Sequence, residues 1–273
     1  MQDLQQFSLT NKVIIISGAT GVLGASFSLE VARAGAKVIV LGRNKERAQM
    51  RVSEIEAIGG EAMYILADVL SEAQIRQARV QVLDRFGTID GLVNAAGGNI
   101  AGATIQPEDD LFEAKIEDTK KAVDLNLFGT VIPTHIFGQV IANKGKGSII
   151  NISSLAAQQA ITRGLGYTMA KSAIEGYTRW MASELALRYG DGVRVNAIAP
   201  GVFLTEQNRD LLTDSEGNYK ARAMQFINNT PYRRLGRPEE LTGTLIYLLS
   251  DASAFVSGET ILVDGGFNAY SGV

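Results

Sequence analysis

Cysteine is missing from all 273 residues. That absence excludes disulfides, thiol nucleophiles and thiolate metal sites, and it agrees with a reducing, cytoplasmic setting. Histidine occurs once, at His135. A Ser/His/Asp hydrolase or an imidazole metal site would have to use it. Its segment, PTHIFGQVIANK, is amphipathic and far from every expected strand end, so His135 reads as a packing or interface residue and no metal is expected. No charge of one sign dominates: 26 Lys and Arg stand against 29 Asp and Glu, a net charge of −3. Nucleic acid and anionic membranes are therefore not expected partners. The opening MQDLQQFSLT lacks the basic and apolar regions of a secretory leader. An apolar stretch of about 18 residues, the least a membrane span needs, is not expected either. Proline is scarce, with 5 residues, while 46% of the chain is hydrophobic. This balance permits a large buried core and argues against disorder.

What is present is alternation. Apolar runs at about 12–17, 36–41, 61–67, 89–94, 147–153, 193–199 and 259–264 read as strands. Helical periodicity falls between them, at about 22–34, 44–58, 71–86, 110–143, 166–189 and 238–250. The pattern predicts an α/β fold: one Rossmann-type, doubly wound parallel sheet of about seven strands, with helices on both faces and right-handed crossovers. The length fits one domain over 1–273. The longest irregular stretch, about 202–230, follows the sixth strand. It would lie at the carboxyl edge, where such sheets bind ligands, and reads as a substrate lid.

Two features carry chemistry. Gly18, Gly21 and Gly24 break the apolar run KVIIIS and lead into a helix. Glycines there let backbone approach a pyrophosphate seated on the helix N-terminus. In GLGYTMAKSA, Tyr167 and Lys171 stand four residues apart, one helical turn, so phenol and ammonium share a face. A cation so placed is expected to lower the phenol's pKa. Ser154, thirteen residues before Tyr167, could hold a carbonyl oxygen beside the phenol while a proton is exchanged.

In combination these pieces resemble the short-chain dehydrogenase/reductase family. The matching segments are SGATGVLG (17–24), Ala-Asp-Val (67–69), NAAG (94–97), Asn126 in DLNLFG, IINISS (149–154), YTMAK (167–171), IAPG (198–201) and VDGGF (263–267). They occur in order over nearly the whole chain. One departure is Val22, where single-domain members usually carry a glycine, with Gly21 one place earlier. The resemblance implies a catalytic set of Asn126, Ser154, Tyr167 and Lys171. It also implies cofactor contacts from Gly18, Thr20, Gly21, Val22, Leu23 and Gly24. Further contacts would come from Asn44, Asp68 and Val69, from Asn94, Ala95, Ala96 and Gly97, and from Tyr167, Lys171, Pro200, Gly201 and Thr205. A homotetramer built from the helices at 110–143 and 166–189 and the last strand is likewise implied. Leu125, Phe128, Ile132, His135 and Ile136 offer apolar surface for it at helical spacing.

The end of the second strand reads VIVLGRNK, with Gly42 and Arg43 where an acid would bond the adenosine ribose. An arginine there can pair with a 2′-phosphate, which favours NADP, with NAD as the alternative. For the small-molecule substrate, Asn99, Gln158, Arg163, Gln207 and Arg209 are the candidates. Amides suit polyol hydroxyls and arginine suits a carboxylate. The VDGGFNAYSGV tail, the FLTEQNRDLLTD lid and the GGN after NAA are similar to members described as mannonate (fructuronate) oxidoreductases. A sugar acid is thus the expected substrate. The alternatives are another keto-sugar, polyol or keto acid, a sugar-nucleotide epimerase suggested by GxxGxxG, and a non-catalytic nucleotide-binding scaffold.

Overall fold

The computed structural model describes residues 2–206 and 208–272. Seven strands form one parallel sheet in the order β3-β2-β1-β4-β5-β6-β7. They are β1 (Val13–Ser17), β2 (Lys37–Gly42), β3 (Glu61–Leu66), β4 (Gly91–Asn94), β5 (Gly147–Ile152), β6 (Val193–Pro200) and β7 (Thr260–Val263). Among them lie α1 (Val22–Arg33), α2 (Lys45–Ala57), α3 (Glu72–Phe86), α4 (Ile116–Val123), α5 (Gly129–Lys144), α6 (Leu165–Tyr189), α7 (Arg209–Leu212), α8 (Ala221–Asn229) and α9 (Thr242–Leu249).

The period of two along each strand assigns the helices to faces. Ile14, Ile16, Val38 and Val40 point to one side and pack with Phe27 and Val31 of α1, Ile55 of α2 and Leu245 and Leu248 of α9. Their neighbours Val13, Ile15, Ile39 and Leu41 point to the other, against Ile75 and Val82 of α3, Phe137 and Ile141 of α5 and Met181 of α6. Strand order reverses at β1, which pairs with β2 on one side and β4 on the other. Chain leaving β1 and β4 therefore splays to opposite faces and opens a crevice at the carboxyl edge.

Three expectations need correcting. The helix expected over 110–143 begins only at Ile116, and Asp124–Phe128 within it is π-helical. The run Ile116–Lys144 does contain a window of mean hydropathy 1.3, apolar enough to cross a membrane. Of that window 56% is buried in the protein, and Phe137 and Ile141 fill the core beneath the sheet. Ile136 is also core, at 3% exposure, which leaves Phe128 and His135 as the outward residues of the predicted apolar stripe. Segment 202–230 is less irregular than its composition suggests. It folds α7 and α8 around a small core of its own, with Leu212, Ala223, Ile227 and Leu235 buried together.

Candidate active site

Glycine at two positions of the first turn is forced by close approach. Gly18 has φ +67, and a Cβ there would lie 2.7 Å from the backbone of Ala95. At Gly24 a Cβ would lie 2.2 Å from the Gly18 carbonyl oxygen. Gly21 is under no such pressure, since its nearest contact would be an ordinary 3.4 Å. The irregular spacing thus keeps the two glycines that packing demands and leaves Val22 as the first residue of α1. No side chain caps α1 at Gly21, so its first N–H groups are left for an anion. This turn, with its backbone walls, fits the pyrophosphate of a dinucleotide. Thr20 abuts Gly42 at the end of β2, where a Cβ would meet its side chain at 2.8 Å. Leu23 faces the crevice.

Beyond Gly42, Arg43 is 72% exposed, with one guanidinium nitrogen 3.8 Å from an Asp68 carboxylate oxygen. Asp68 also accepts from the Leu70 N–H at 3.0 Å and so shapes the turn into α3. Asn44 caps α2 by accepting from the Arg47 N–H at 2.8 Å. Val69 is buried against Gly129. For these last three residues any ligand contact must coexist with a structural task.

The 94–97 segment divides in the same way. Buried Ser17 accepts from the N–H groups of Ala95 and Ala96, at 3.2 and 3.3 Å. The Asn94 amide turns inward and donates to Thr134 at 2.8 Å and Asn151 at 2.9 Å. Asn151 in turn donates to Thr178 at 2.9 Å. This buried polar ladder ties the ends of β4 and β5 to α5 and α6 and keeps the Asn94 side chain out of the cleft. One hint of it is the polar Asn151 inside the apolar run IINI.

Asn126 sits in the π-helical turn and is fully buried. It accepts from the Gly98 N–H at 2.9 Å and donates to the Gly98 and Ala122 carbonyls, each at 2.8 Å. A Cβ on Gly97 would lie 2.6 Å from the Asn126 oxygen. The extra residue of a π-turn lets a side chain bond across to another loop, and such turns are frequent at functional sites.

Across the cleft, β5 delivers Ser153 and Ser154 in sequence. Ser153 is 1% exposed and donates to Glu175 of α6 at 2.9 Å. Ser154 lines the cleft, accepts from the Ala156 N–H at 3.1 Å and bonds the Tyr167 hydroxyl. Lys171, one turn beyond Tyr167, is 5% exposed and donates to the Ile152 carbonyl at 2.7 Å. Its ammonium stands 5.4 Å from the Tyr167 ring centroid. Burial pushes the Lys171 ammonium down to about 8. The Tyr167 phenol is pushed above its ordinary value by burial, with the Ser154 bond pulling the other way. The expected lowering by a neighbouring cation is thus reversed. Lysine spends its hydrogen bond on a strand carbonyl, and loss of water around the phenolate outweighs it.

A cavity of about 620 Å³ joins these residues. Its walls include Leu23, Asn99, Ser154, Tyr167, Pro200, Gly201 and Thr205, together with Arg163, Arg222 and Phe226. Two of the substrate candidates, Asn99 and Arg163, therefore line this cavity. Gln158 and Arg209 are not on the wall, because the Gln158 amide binds Glu175 and Arg209 lies on the exposed side of α7. Gln207 falls outside the described residues. Arg222 escaped sequence reading because nothing in the composition of α8 shows which of its residues faces Tyr167.

The family model described as enoyl-(acyl carrier protein) reductase matches residues 18–268. An oxidoreductase of Bacillus subtilis named UxuB is 39% identical over 275 residues, covering 97% of this chain and 98% of the relative. The chain belongs to the short-chain dehydrogenase/reductases. Among solved members of the family, a candidate D-mannonate oxidoreductase from Haemophilus influenza with bound NAD superposes with a TM-score of 0.90 at 39% identity, covering 97% of this chain and 98% of that one. A gluconate 5-dehydrogenase from Burkholderia cenocepacia in complex with NADP and tartrate gives 0.86 at 32% identity, covering 98% and 99%. As a short-chain dehydrogenase/reductase, this protein is a nicotinamide-dependent oxidoreductase acting on alcohol and carbonyl groups.

Proposed function

We propose that the protein interconverts a keto-uronate and the corresponding aldonate, as in fructuronate and mannonate, with NADP preferred over NAD. One observation carries the reading: the cavity that holds Tyr167 and Ser154 also presents Arg163, which makes no ion pair among the described residues. A half-buried unpaired guanidinium beside a proton donor suits a hydroxy-carbonyl substrate that carries a carboxylate. Asn99 adds an amide for its hydroxyls. The relatives described as mannonate and gluconate oxidoreductases point to the same substrate class.

The turn at Gly18–Gly24 and the first N–H groups of α1 would hold the dinucleotide's pyrophosphate, and the nicotinamide would supply or accept the hydride. Tyr167 gives its proton to the carbonyl oxygen, or takes it from the alcohol, and Ser154 holds that oxygen in reach. Lys171 compensates the phenolate that forms, and Asn126 keeps the Gly98 loop in register with α4. The absence of an acid after β2 and the exposed Arg43 support NADP. Segment 202–230 serves as the lid over the substrate. Exposed Phe128, Met169 and Trp180 on the helices at 124–189 support a homotetramer.

The deciding assay compares fructuronate with the neutral ketose fructose, each with NADPH and NADH. We expect kcat/KM to favour fructuronate and NADPH. Equal efficiency toward the charged and the neutral substrate would overturn the sugar-acid reading.

A further inference from the structure

Arg163 does not stand alone. Arg222, on α8 of the segment after β6, lines the same cavity. Its guanidinium donates to the hydroxyl of Thr162 at 2.9 Å and to the Thr162 carbonyl at 3.2 Å, next door to Arg163. It also lies over the Phe226 ring, 4.8 Å from the centroid. Its Nε is buried and has no hydrogen-bond partner. Arg163 meanwhile donates to Gln106 at 3.3 Å and holds φ +82, a backbone region unusual for a residue with a side chain. Such a conformation is strained and persists where the surroundings enforce it. Neither arginine reaches a carboxylate within ion-pair distance among the described residues. Asp210 is the acidic residue on the described cavity wall, and it pairs with neither.

Two like charges brought together without a counter-charge are electrostatically unfavourable. The repulsion is felt: burial first, and the charge of Arg163 second, hold the Arg222 guanidinium below its ordinary value. An arrangement of this kind is stabilised when an anion enters between the two forks.

We propose that Arg163 and Arg222 form a two-arginine clamp for a substrate carboxylate, with one arm on the loop that precedes Tyr167 and the other on α8. Arg222 is then a specificity-determining residue, already docked by Thr162 at the cavity wall. The clamp rests on the sugar-acid reading only for the identity of the anion; the chemistry it demands is any small hydroxy-carboxylate.

Direct binding separates the two ideas. Calorimetric titration of tartrate into the NADP-loaded protein is compared for wild type, Arg222→Met and Arg222→Lys. Methionine keeps the stem on Phe226 and removes the fork, whereas lysine keeps the charge without it. We expect tartrate affinity to fall about 10- to 100-fold in Arg222→Met and by less in Arg222→Lys, the size of one charged hydrogen bond. NADP affinity and the thermal melting midpoint should stay near wild-type values in both, which verifies that the fold survives. Unchanged tartrate affinity in Arg222→Met, or no tartrate binding by wild type, would overturn the clamp. Tartrate binding that depends on Arg222, in a protein that does not prefer fructuronate to fructose, would retain the clamp and discard the keto-uronate.

Discussion

The two walls of the cleft are made differently. On the wall formed by β5 and α6, Ser154, Tyr167 and Lys171 are each tied to a neighbour, and Lys171 is almost wholly buried. The facing wall, from the loop before α6 and from α8, holds Arg163 and Arg222 half-buried and, among the described residues, without an ion-pair partner. Proton transfer needs one geometry and one protonation state, which burial and hydrogen bonding enforce. Recognition of a substrate's charge needs a charge left without a partner ion until the substrate arrives. The first wall should therefore respond to mutation through turnover on every substrate, and the second through discrimination between substrates.

The largest effect should come from the first wall. Tyr167→Phe removes the proton donor and keeps the ring, and turnover should fall by about 10²–10⁴ on charged and neutral substrates alike. A wild-type rate in that variant would remove Tyr167 from the mechanism. Arg163→Met tests the second wall. Its kcat/KM should fall about 10- to 100-fold on fructuronate and far less on fructose, because both substrates share the Tyr167 step. Equal losses on the two would mean that Arg163 supports the loop rather than reading charge. Arg43→Ala should weaken NADPH by about 1–3 kcal/mol and NADH by much less, measured by equilibrium titration. Identical losses would show that Arg43 does not contact a 2′-phosphate.

The subtlest test concerns pH. Lys171 loses its proton in the folded protein as pH rises through about 8. The unfolded chain keeps that proton until near the ordinary lysine value of 10.5. This group therefore makes folding more favourable as pH rises across that window, since the unfolded state binds the extra proton there. In catalysis the sign is opposite. The phenolate formed in reduction loses its compensating charge, so reduction should bend downward near pH 8, and Lys171→Met should lack the bend.

Much of this architecture was legible in the chain. Each expected strand appears within about two residues of its place, because buried parallel strands write themselves as apolar runs. Gly18 and Gly24 could be read for the same reason: close backbone contact leaves few choices. Arg222 could not, because its contact with Thr162 spans 60 positions and depends on how α8 is docked. Gln158 misled because a polar residue near Tyr167 looks available until Glu175 is seen to hold it. The direction of the Tyr167 shift was lost likewise. Spacing gives the neighbour, but burial and the competing Ile152 carbonyl are three-dimensional facts.

The π-turn at Asp124–Phe128 has a consequence for how the chain can change. A π-turn stores one residue more than an α-turn in the same rise, so Asn126 occupies a place that a regular helix would not possess. Deleting a single residue from this turn would let α4 and α5 join as one regular helix. Such a protein would gain a regular helix, yet its amide would no longer reach Gly98, whose N–H and carbonyl would lose their partner. The site is thus held open by a small irregularity in a helix, against the pull of ordinary secondary structure.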